Sequence, residues 1–82
     1  MEVILSKTAE KNYKKLPKSE QSKILKKLKS LEEDPTSGKK LEGQLSIYRS
    51  LRAWPYRIIY FVNKKENKIE VDSILHRQGA YK

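Results

Sequence analysis

The sequence has 82 residues, no cysteine, one histidine and a formal net charge of +9 from 19 basic and 10 acidic side chains. This composition excludes disulfides and a cysteine nucleophile, gives no reason to expect a metal site or a cofactor, and predicts a single small domain over residues 1–82. The strong positive charge favours a polyanionic partner such as nucleic acid, and the lack of a long apolar run predicts a cytoplasmic protein without a membrane segment.

The first part of the chain has the pattern of a strand followed by two helices. Residues 3–5 form a short apolar run, and Ser6 can cap a helix over residues 7–15. A second helix is predicted over residues 17–33, because proline is favoured in the first turn of a helix and Asp34–Pro35 stops it. The apolar stripe of this helix comprises Ile24, Leu25, Leu28 and Leu31. Each helix has one apolar face, so the two are predicted to form a helical hairpin.

The second part changes to the pattern of extended strands, after an irregular segment rich in Gly, Pro and Ser at residues 35–46. Residues 47–53, 56–62 and 68–75 are rich in Ile, Val and Tyr and are predicted to be three strands. The predicted fold is α+β, in the order β-α-α-β-β-β. Its N-terminal helical hairpin packs on one face of a small, twisted, antiparallel-dominated sheet, and the opposite face stays open.

Charged side chains interrupt these apolar strands and require an explanation. Alternation along the first of the three strands turns Leu51 and Ala53 towards the helices and Arg52 towards the open face. The facing of Arg57 stays open, because it lies either at the mouth of its strand or next to a bulge that shifts the register. Both arginines have an alternative interpretation as partners of carboxylates, with candidates Glu32, Glu33, Glu42 and Asp72. Trp54, in the turn, is equally well a packing residue.

Basic and aromatic residues are expected to converge at one end of the sheet. Arg52 and Arg57 flank a tight turn, and His76 and Arg77 follow the last strand, with Tyr81 close behind. Arginines hold a phosphate in bidentate fashion and stabilise charge in a transition state. A histidine moves a proton, and a tyrosine stacks on a base. The set favours a site that acts on a phosphodiester, although a histidine after a strand also has a purely structural interpretation.

Several short motifs occur in a specific order. The second helix opens with "LP" at 16–17 and stops at "DP" at 34–35, and "KLEG" at 40–43, "YRIIY" at 56–60 and "HRQGAY" at 76–81 follow. In this order, and over nearly the whole chain, the sequence resembles the RelE/ParE superfamily of bacterial and archaeal toxins from type II toxin–antitoxin pairs. The RelE-like branch of that superfamily consists of ribosome-dependent mRNA endonucleases.

The resemblance implies metal-independent cleavage of mRNA in the ribosomal A site, by attack of a ribose 2′-hydroxyl on the adjacent phosphate. By their places in the motifs, Arg52, Arg57 and Arg77 would orient and stabilise the phosphate, and Tyr81 would stack on the message. His76 is a candidate general base, since some branches carry a histidine near this point.

One departure from the pattern concerns Ser50, where RelE-type members often carry a second basic residue two positions before Arg52. Its loss removes one phosphate contact or one candidate proton acceptor. Two alternatives therefore stay open: a ParE-like inhibitor that binds DNA gyrase without catalysis, and a degenerate co-repressor that binds only its antitoxin and operator DNA. The presence of Arg57, Arg77 and Tyr81 favours RNA cleavage.

The resemblance also implies the partners. We expect an acidic, RelB-like antitoxin, mRNA and the ribosomal A site, with operator DNA contacted only through the antitoxin complex. The predicted ribosome-contacting residues are Lys14, Lys15, Lys18, Lys26 and Lys27 of the helices, together with Arg49. The alternatives are a solvated helix face for the lysines and a solvated or salt-bridged side chain for Arg49.

Overall fold

A computed structural model describes residues 1–43 and 47–77. These residues form β1 (Glu2–Leu5), α1 (Lys7–Lys14), α2 (Lys18–Glu33), β2 (Lys39–Lys40), β3 (Tyr48–Ala53), β4 (Tyr56–Asn63) and β5 (Lys68–His76). The predicted α+β class and the order of the predicted elements are confirmed. The structure contains one strand that the pattern did not predict, β2, inside the segment predicted to be irregular. It was missed because two residues are too few to show an alternating pattern. No helix in the described ranges is long and apolar enough to cross a membrane.

The strands form one mixed sheet in the order β1-β5-β4-β3-β2. Short turns make the β3–β4 and β4–β5 hairpins antiparallel, as predicted. The helical hairpin separates β1 from the other strands in sequence, and β1 pairs in parallel with β5. β5 therefore lies inside the sheet, and its end is brought next to the β3–β4 turn.

The start of α1 is fixed to the sheet by side-chain hydrogen bonds. The Ser6 hydroxyl accepts from the Ala9 amide at 3.0 Å, as an N-cap, and donates to the Asp72 carbonyl at 2.6 Å. One turn later, the Asn12 Oδ1 accepts from the Ile74 amide at 3.0 Å. Because β1 pairs with β5 only up to Val71, Asn12 satisfies a strand amide that β1 does not reach.

The helices cover one face of the sheet and bury a single core. From the helices it contains Ala9, Ile24, Leu28 and Leu31, and from the sheet Ala53, Ile58, Tyr60, Ile69, Val71 and Ile74. Leu25, predicted to belong to the stripe of α2, is 45% exposed. At 3.6 residues per turn Leu25 lies about 100° around the helix from Ile24, whereas the other three side chains lie close to one line.

Tyr60 and a bulge in β5 settle which way the strand side chains face. Ile58 and Tyr60 are fully buried against the helices, so Arg57 and Ile59 face the open side. Ile59 pairs with Ser73 and Tyr60 with Val71, so the extra residue is on β5 and not beside Arg57. Arg57 thus faces the open side without any irregularity in its own strand.

The segment before β2 is held by the same buried tyrosine. The Tyr60 hydroxyl donates to the Pro35 carbonyl at 2.8 Å and accepts from the Gly38 amide at 2.9 Å. Only glycine fits here, because a Cβ on Gly38 would lie 2.5 Å from that hydroxyl. Burial raises the pKa of Tyr60, opposed by the Gly38 hydrogen bond and the nearby Arg49 charge. These contacts place β2 at the edge of the sheet beside β3.

Candidate nucleic-acid interface

The two strand arginines lie side by side on the open face. Arg52 and Arg57 are Cα partners across β3 and β4, so their side chains project from the same side of the sheet. Arg52 is exposed and Arg57 is half-buried. Like charges directly opposite each other destabilise a strand pair, so the arrangement is best suited to a face that meets an anion.

A groove of about 310 Å³ runs over these arginines and onto the edge of the sheet. Its lining residues are Lys39, Lys40, Leu41, Glu42, Ser50, Arg52 and Arg57. Four of its lining residues are basic and one is acidic, so its surroundings carry an excess of positive charge. Of the carboxylates considered as partners of the arginines, Glu42 is the one that lines this groove.

Sequence reasoning missed the two lysines of β2. Lys39 pairs with Ser50 and Lys40 with Arg49, which brings a second basic strand to the edge of the groove. The signal in the sequence was the lysine pair directly before "LEG", in a segment that lacked any strand pattern. The pairing depends on the Gly38–Tyr60 contact, which connects residues 22 positions apart and leaves no local pattern.

Arg77 is held at the same end of the sheet by the β3–β4 turn. Its amide donates to the Pro55 carbonyl at 2.8 Å, and its guanidinium carbon lies 4.6 Å from the centre of the Trp54 ring. The turn contains a cis Trp54–Pro55 peptide, and Lys23 of α2 donates to the Trp54 carbonyl at 3.0 Å. Trp54 is 56% exposed, so it is a surface ring that carries Arg77 and not a packing residue.

His76 departs from the expected cluster. It pairs with Tyr56, and the two rings make an edge-to-face contact at 5.4 Å. Leu75 is the partner of Arg57, so alternation places the His76 side chain on the opposite side of the sheet from both arginines. The expectation that imidazole and guanidinium groups share one surface is therefore wrong, because the sequence did not show the parity of β5. Tyr81 lies outside the described residues.

The remaining basic residues divide into two groups. The predicted ribosome-contacting lysines are all exposed, four of them on the helices and one, Lys15, at the C-cap of α1: Lys14, Lys15, Lys18, Lys26 and Lys27. Arg49, by contrast, is half-buried and donates to the Gly38 carbonyl at 2.9 Å and the Thr36 carbonyl at 3.4 Å. Its guanidinium thus ties the segment before β2 to β3, a role that sequence reasoning did not predict.

Comparison with known proteins agrees with this fold. A family model described as the ParE toxin of the type II toxin–antitoxin system, parDE, matches residues 3–81. The chain therefore belongs to this family and is a toxin of a type II toxin–antitoxin system, within the RelE/YoeB/ParE superfamily. No curated protein sequence matches the chain.

Solved structures of toxins from this superfamily share the whole fold. The archaeal RelE–RelB complex of Pyrococcus horikoshii matches with 29% identity and a TM-score of 0.78, over 96% of this chain and 97% of that one. The RelBE2 toxin–antitoxin complex of Mycobacterium tuberculosis matches with 24% identity and a TM-score of 0.85, over 93% and 96%. The YoeB/ParE toxin of Agrobacterium tumefaciens matches with 19% identity and a TM-score of 0.81, over 93% and 98%.

Proposed function

We propose that this toxin is a ribosome-dependent mRNA endonuclease that cuts the message in the A site by attack of a ribose 2′-hydroxyl on the adjacent phosphate. The observation that carries the proposal is the Arg52–Arg57 pair, in register on the open face and inside a cationic groove. Two arginines in register on one face suit a phosphate, which guanidinium groups bind in bidentate fashion.

The arginine pair supplies the phosphate chemistry. Guanidinium groups bind phosphate oxygens in bidentate fashion, and fixed positive charge stabilises the additional negative charge of the transition state. Arg77, on the adjacent turn, is a third cation for the same phosphate or its neighbour. Tyr81 is proposed to stack on a base of the message.

The groove also offers a proton acceptor for the attacking hydroxyl. Glu42 lines it together with both arginines, whereas His76 projects from the other side of the sheet. A general base must come within hydrogen-bond reach of the proton that it removes. We therefore assign this role to Glu42 in preference to His76.

The charge of the toxin fits its proposed partners. Exposed lysines on both helices provide contacts for ribosomal RNA, and a net charge of +9 favours an acidic antitoxin. The Pyrococcus and Mycobacterium relatives were solved as complexes with their antitoxins. By analogy, an acidic antitoxin is proposed to bind this toxin and to contact operator DNA within that complex.

Primer extension on mRNA held by purified ribosomes with an empty A site tests the proposal. The wild-type toxin should produce a cut in the A-site codon that requires ribosomes. Arg57→Lys keeps the charge but loses the bidentate geometry, and Arg57→Ala loses both. We expect Arg57→Ala to lower the cleavage rate by about 10²–10³-fold. Lys65→Ala, a charge loss in the β4–β5 turn at the far end of the sheet, is the matched control and should cleave normally.

Inhibition of DNA gyrase is the second candidate, because the matching family model is that of ParE toxins. A supercoiling assay with purified gyrase separates the two functions. Loss of supercoiling with wild type and Arg57→Ala alike, together with intact mRNA on ribosomes, would replace the nuclease by gyrase inhibition. Activity in neither assay would favour the degenerate co-repressor that binds only its antitoxin and operator DNA.

A further inference from the structure

We propose that Lys39 and Ser50 form a second phosphate-binding subsite, next to the Arg52–Arg57 pair, which holds a neighbouring phosphate of the single-stranded RNA. The inference rests on the proposed function for the identity of the ligand. Its test is a binding measurement that requires neither ribosomes nor cleavage.

The first observation is a buried hydroxyl in the wall of the groove. Ser50 is only 8% exposed, and its Oγ is buried without a hydrogen-bond partner among the described residues. Leaving such a group unsatisfied costs about 1–3 kcal/mol. The same side chain lines the cationic groove, so a ligand oxygen bound there can accept the hydrogen bond that the fold does not provide.

The second observation is the position of Lys39. It is the Cα partner of Ser50 across β2 and β3, so the ammonium group and the hydroxyl project from the same face. Lysine on an edge strand often serves only to discourage edge-to-edge pairing. That explanation does not account for the serine directly opposite, whose hydroxyl has no partner in residues 1–43 and 47–77, whereas an anion bound by both side chains does.

The spacing of the two subsites suits a polynucleotide. Ser50 and Arg52 point to the same face of β3 two residues apart, which separates them by about 7 Å along the strand. Successive phosphates of an extended RNA strand have a comparable separation. A message that places one phosphate between Arg52 and Arg57 therefore presents the next one to Lys39 and Ser50.

This subsite also explains the substitution at position 50. A basic side chain there would place its charge on β3, and this chain instead supplies the charge from Lys39 on the adjacent strand. The serine contributes a hydroxyl donor on the same face of the sheet as the lysine. The second phosphate contact is thus moved to the next strand and is not lost.

The test is the salt dependence of binding to a single-stranded RNA decanucleotide, followed by fluorescence anisotropy. Each phosphate contact adds about 0.7 to the slope of log affinity against log salt for single strands. Lys39→Gln should reduce that slope by about 0.7. The ratio of wild-type to Lys39→Gln affinity should therefore shrink about eightfold between roughly 50 mM and 1 M salt. Lys65→Gln, at the far end of the sheet, is the matched control and should bind the RNA with the same affinity and the same salt slope as wild type.

Ser50→Ala provides an independent readout. Removal of an unpartnered buried hydroxyl should leave the melting temperature of the free toxin unchanged or raise it, while RNA affinity falls severalfold at every salt concentration. A purely structural role would lower the melting temperature and leave the affinity of the folded protein intact. That result, an unchanged slope in Lys39→Gln, or no binding of the decanucleotide by wild type would each overturn the subsite.

The subsite and the nuclease can fail separately. Normal A-site cleavage with an unchanged slope in Lys39→Gln would remove the subsite and keep the nuclease. A reduced slope in Lys39→Gln with no cleavage on ribosomes would keep the subsite as a nucleic-acid contact and remove the nuclease.

Discussion

Single residues in this protein carry unfavourable local arrangements that point to ligands or to long-range contacts. Arg52 and Arg57 place like charges opposite each other on two strands, and Ser50 buries a hydroxyl without a partner among the described residues. Tyr60 is the opposite case, since both hydrogen-bonding capacities of its buried hydroxyl are used. The first group lines the groove, where we propose that it binds phosphate, whereas Tyr60 holds the segment before β2.

Tyr60→Phe should destabilise the toxin by about 1–3 kcal/mol, because the Gly38 amide is left buried without its acceptor. Burial raises the pKa of Tyr60, so the folded state disfavours the phenolate. The stability that tyrosine contributes is fully present below about pH 10, its unfolded pKa, and is lost as the pH rises through the folded pKa.

Urea unfolding at a series of pH values checks both statements. The stability difference between wild type and Tyr60→Phe should be constant up to about pH 10 and should shrink at higher pH. A stability difference that grows at alkaline pH would contradict the raised pKa of Tyr60.

Glu42→Gln should lower A-site cleavage by about 10²–10⁴-fold, the usual contribution of a general base, whereas His76→Asn should cleave nearly as wild type. The reason is position: Glu42 lines the arginine groove and His76 projects from the other side of the sheet. Single-turnover cleavage rates on stalled ribosomes, with melting curves as a folding control, measure the two effects. A larger loss of cleavage in His76→Asn than in Glu42→Gln would identify His76 as the general base.

At the scale of elements, the β3–β4 turn connects the groove to Arg77, directly after β5. It receives a hydrogen bond from Lys23 of α2, another from the Arg77 amide, and the Arg77 guanidinium on the Trp54 ring. The turn therefore fixes Arg77 relative to the strands that carry Arg52 and Arg57. Arg77, the third basic residue, is thus positioned by the turn although it lies beyond the end of β5.

Trp54→Ala should reduce cleavage about 2–5-fold, because an exposed cation–π contact contributes roughly 0.5–1 kcal/mol to holding Arg77 in place. Trp54→Phe keeps a ring face and should retain most of the activity. Ribosome-dependent cleavage rates of the single variants and of the Trp54→Ala/Arg77→Ala double variant provide the measurement. If Trp54 acts through Arg77, the double variant is no slower than Arg77→Ala; additive losses would contradict this positioning role.

At the scale of the whole molecule, charge is the dominant property. The net charge of +9 is spread over exposed helix lysines and the groove, so the toxin presents positive charge on both faces of the sheet. Such a surface steers polyanions and acidic proteins towards it over distances set by the ionic strength. Ribosome binding and antitoxin binding are thereby expected to share one electrostatic driving force.

The association rate with an acidic antitoxin should fall at least tenfold between about 10 mM and 500 mM salt, because steered association is screened while short-range contacts are not. The dissociation rate should change far less. Stopped-flow fluorescence with the purified pair measures both rates. An association rate independent of salt would show that apolar contacts alone guide the encounter.

Much of the architecture was readable from local pattern. The predicted helices and the predicted strands were found within one or two residues of their expected bounds, because each has its own periodicity and clear stop signals at Pro17 and Asp34–Pro35. Leu25 was misassigned, since an apolar residue at the flank of a stripe looks like a member of it. The facing of Arg52 was also correct, as alternation along β3 is uninterrupted.

The candidate site was predictable only in part, because its geometry depends on pairing between strands. The bulge at Asp72 sets the parity of β5, and this parity puts His76 on the other side of the sheet from Arg57. The strand that contributes Lys39 exists because Tyr60 fixes Gly38 from across the sheet. Neither feature leaves a trace in a window of a few neighbouring residues.

By itself, the sequence determined the class of fold, the excess of positive charge and the superfamily, and it indicated the arginines proposed to bind phosphate, since these depend on composition, period and short motifs. The tertiary structure decided which of those residues share a surface. Strand register and the bulge in β5 are properties of pairs of strands, and burial of the Ser50 hydroxyl is a property of the assembled sheet. The partnership of Lys39 with Ser50, and the separation of His76 from the arginines, became visible only when the strands were in place.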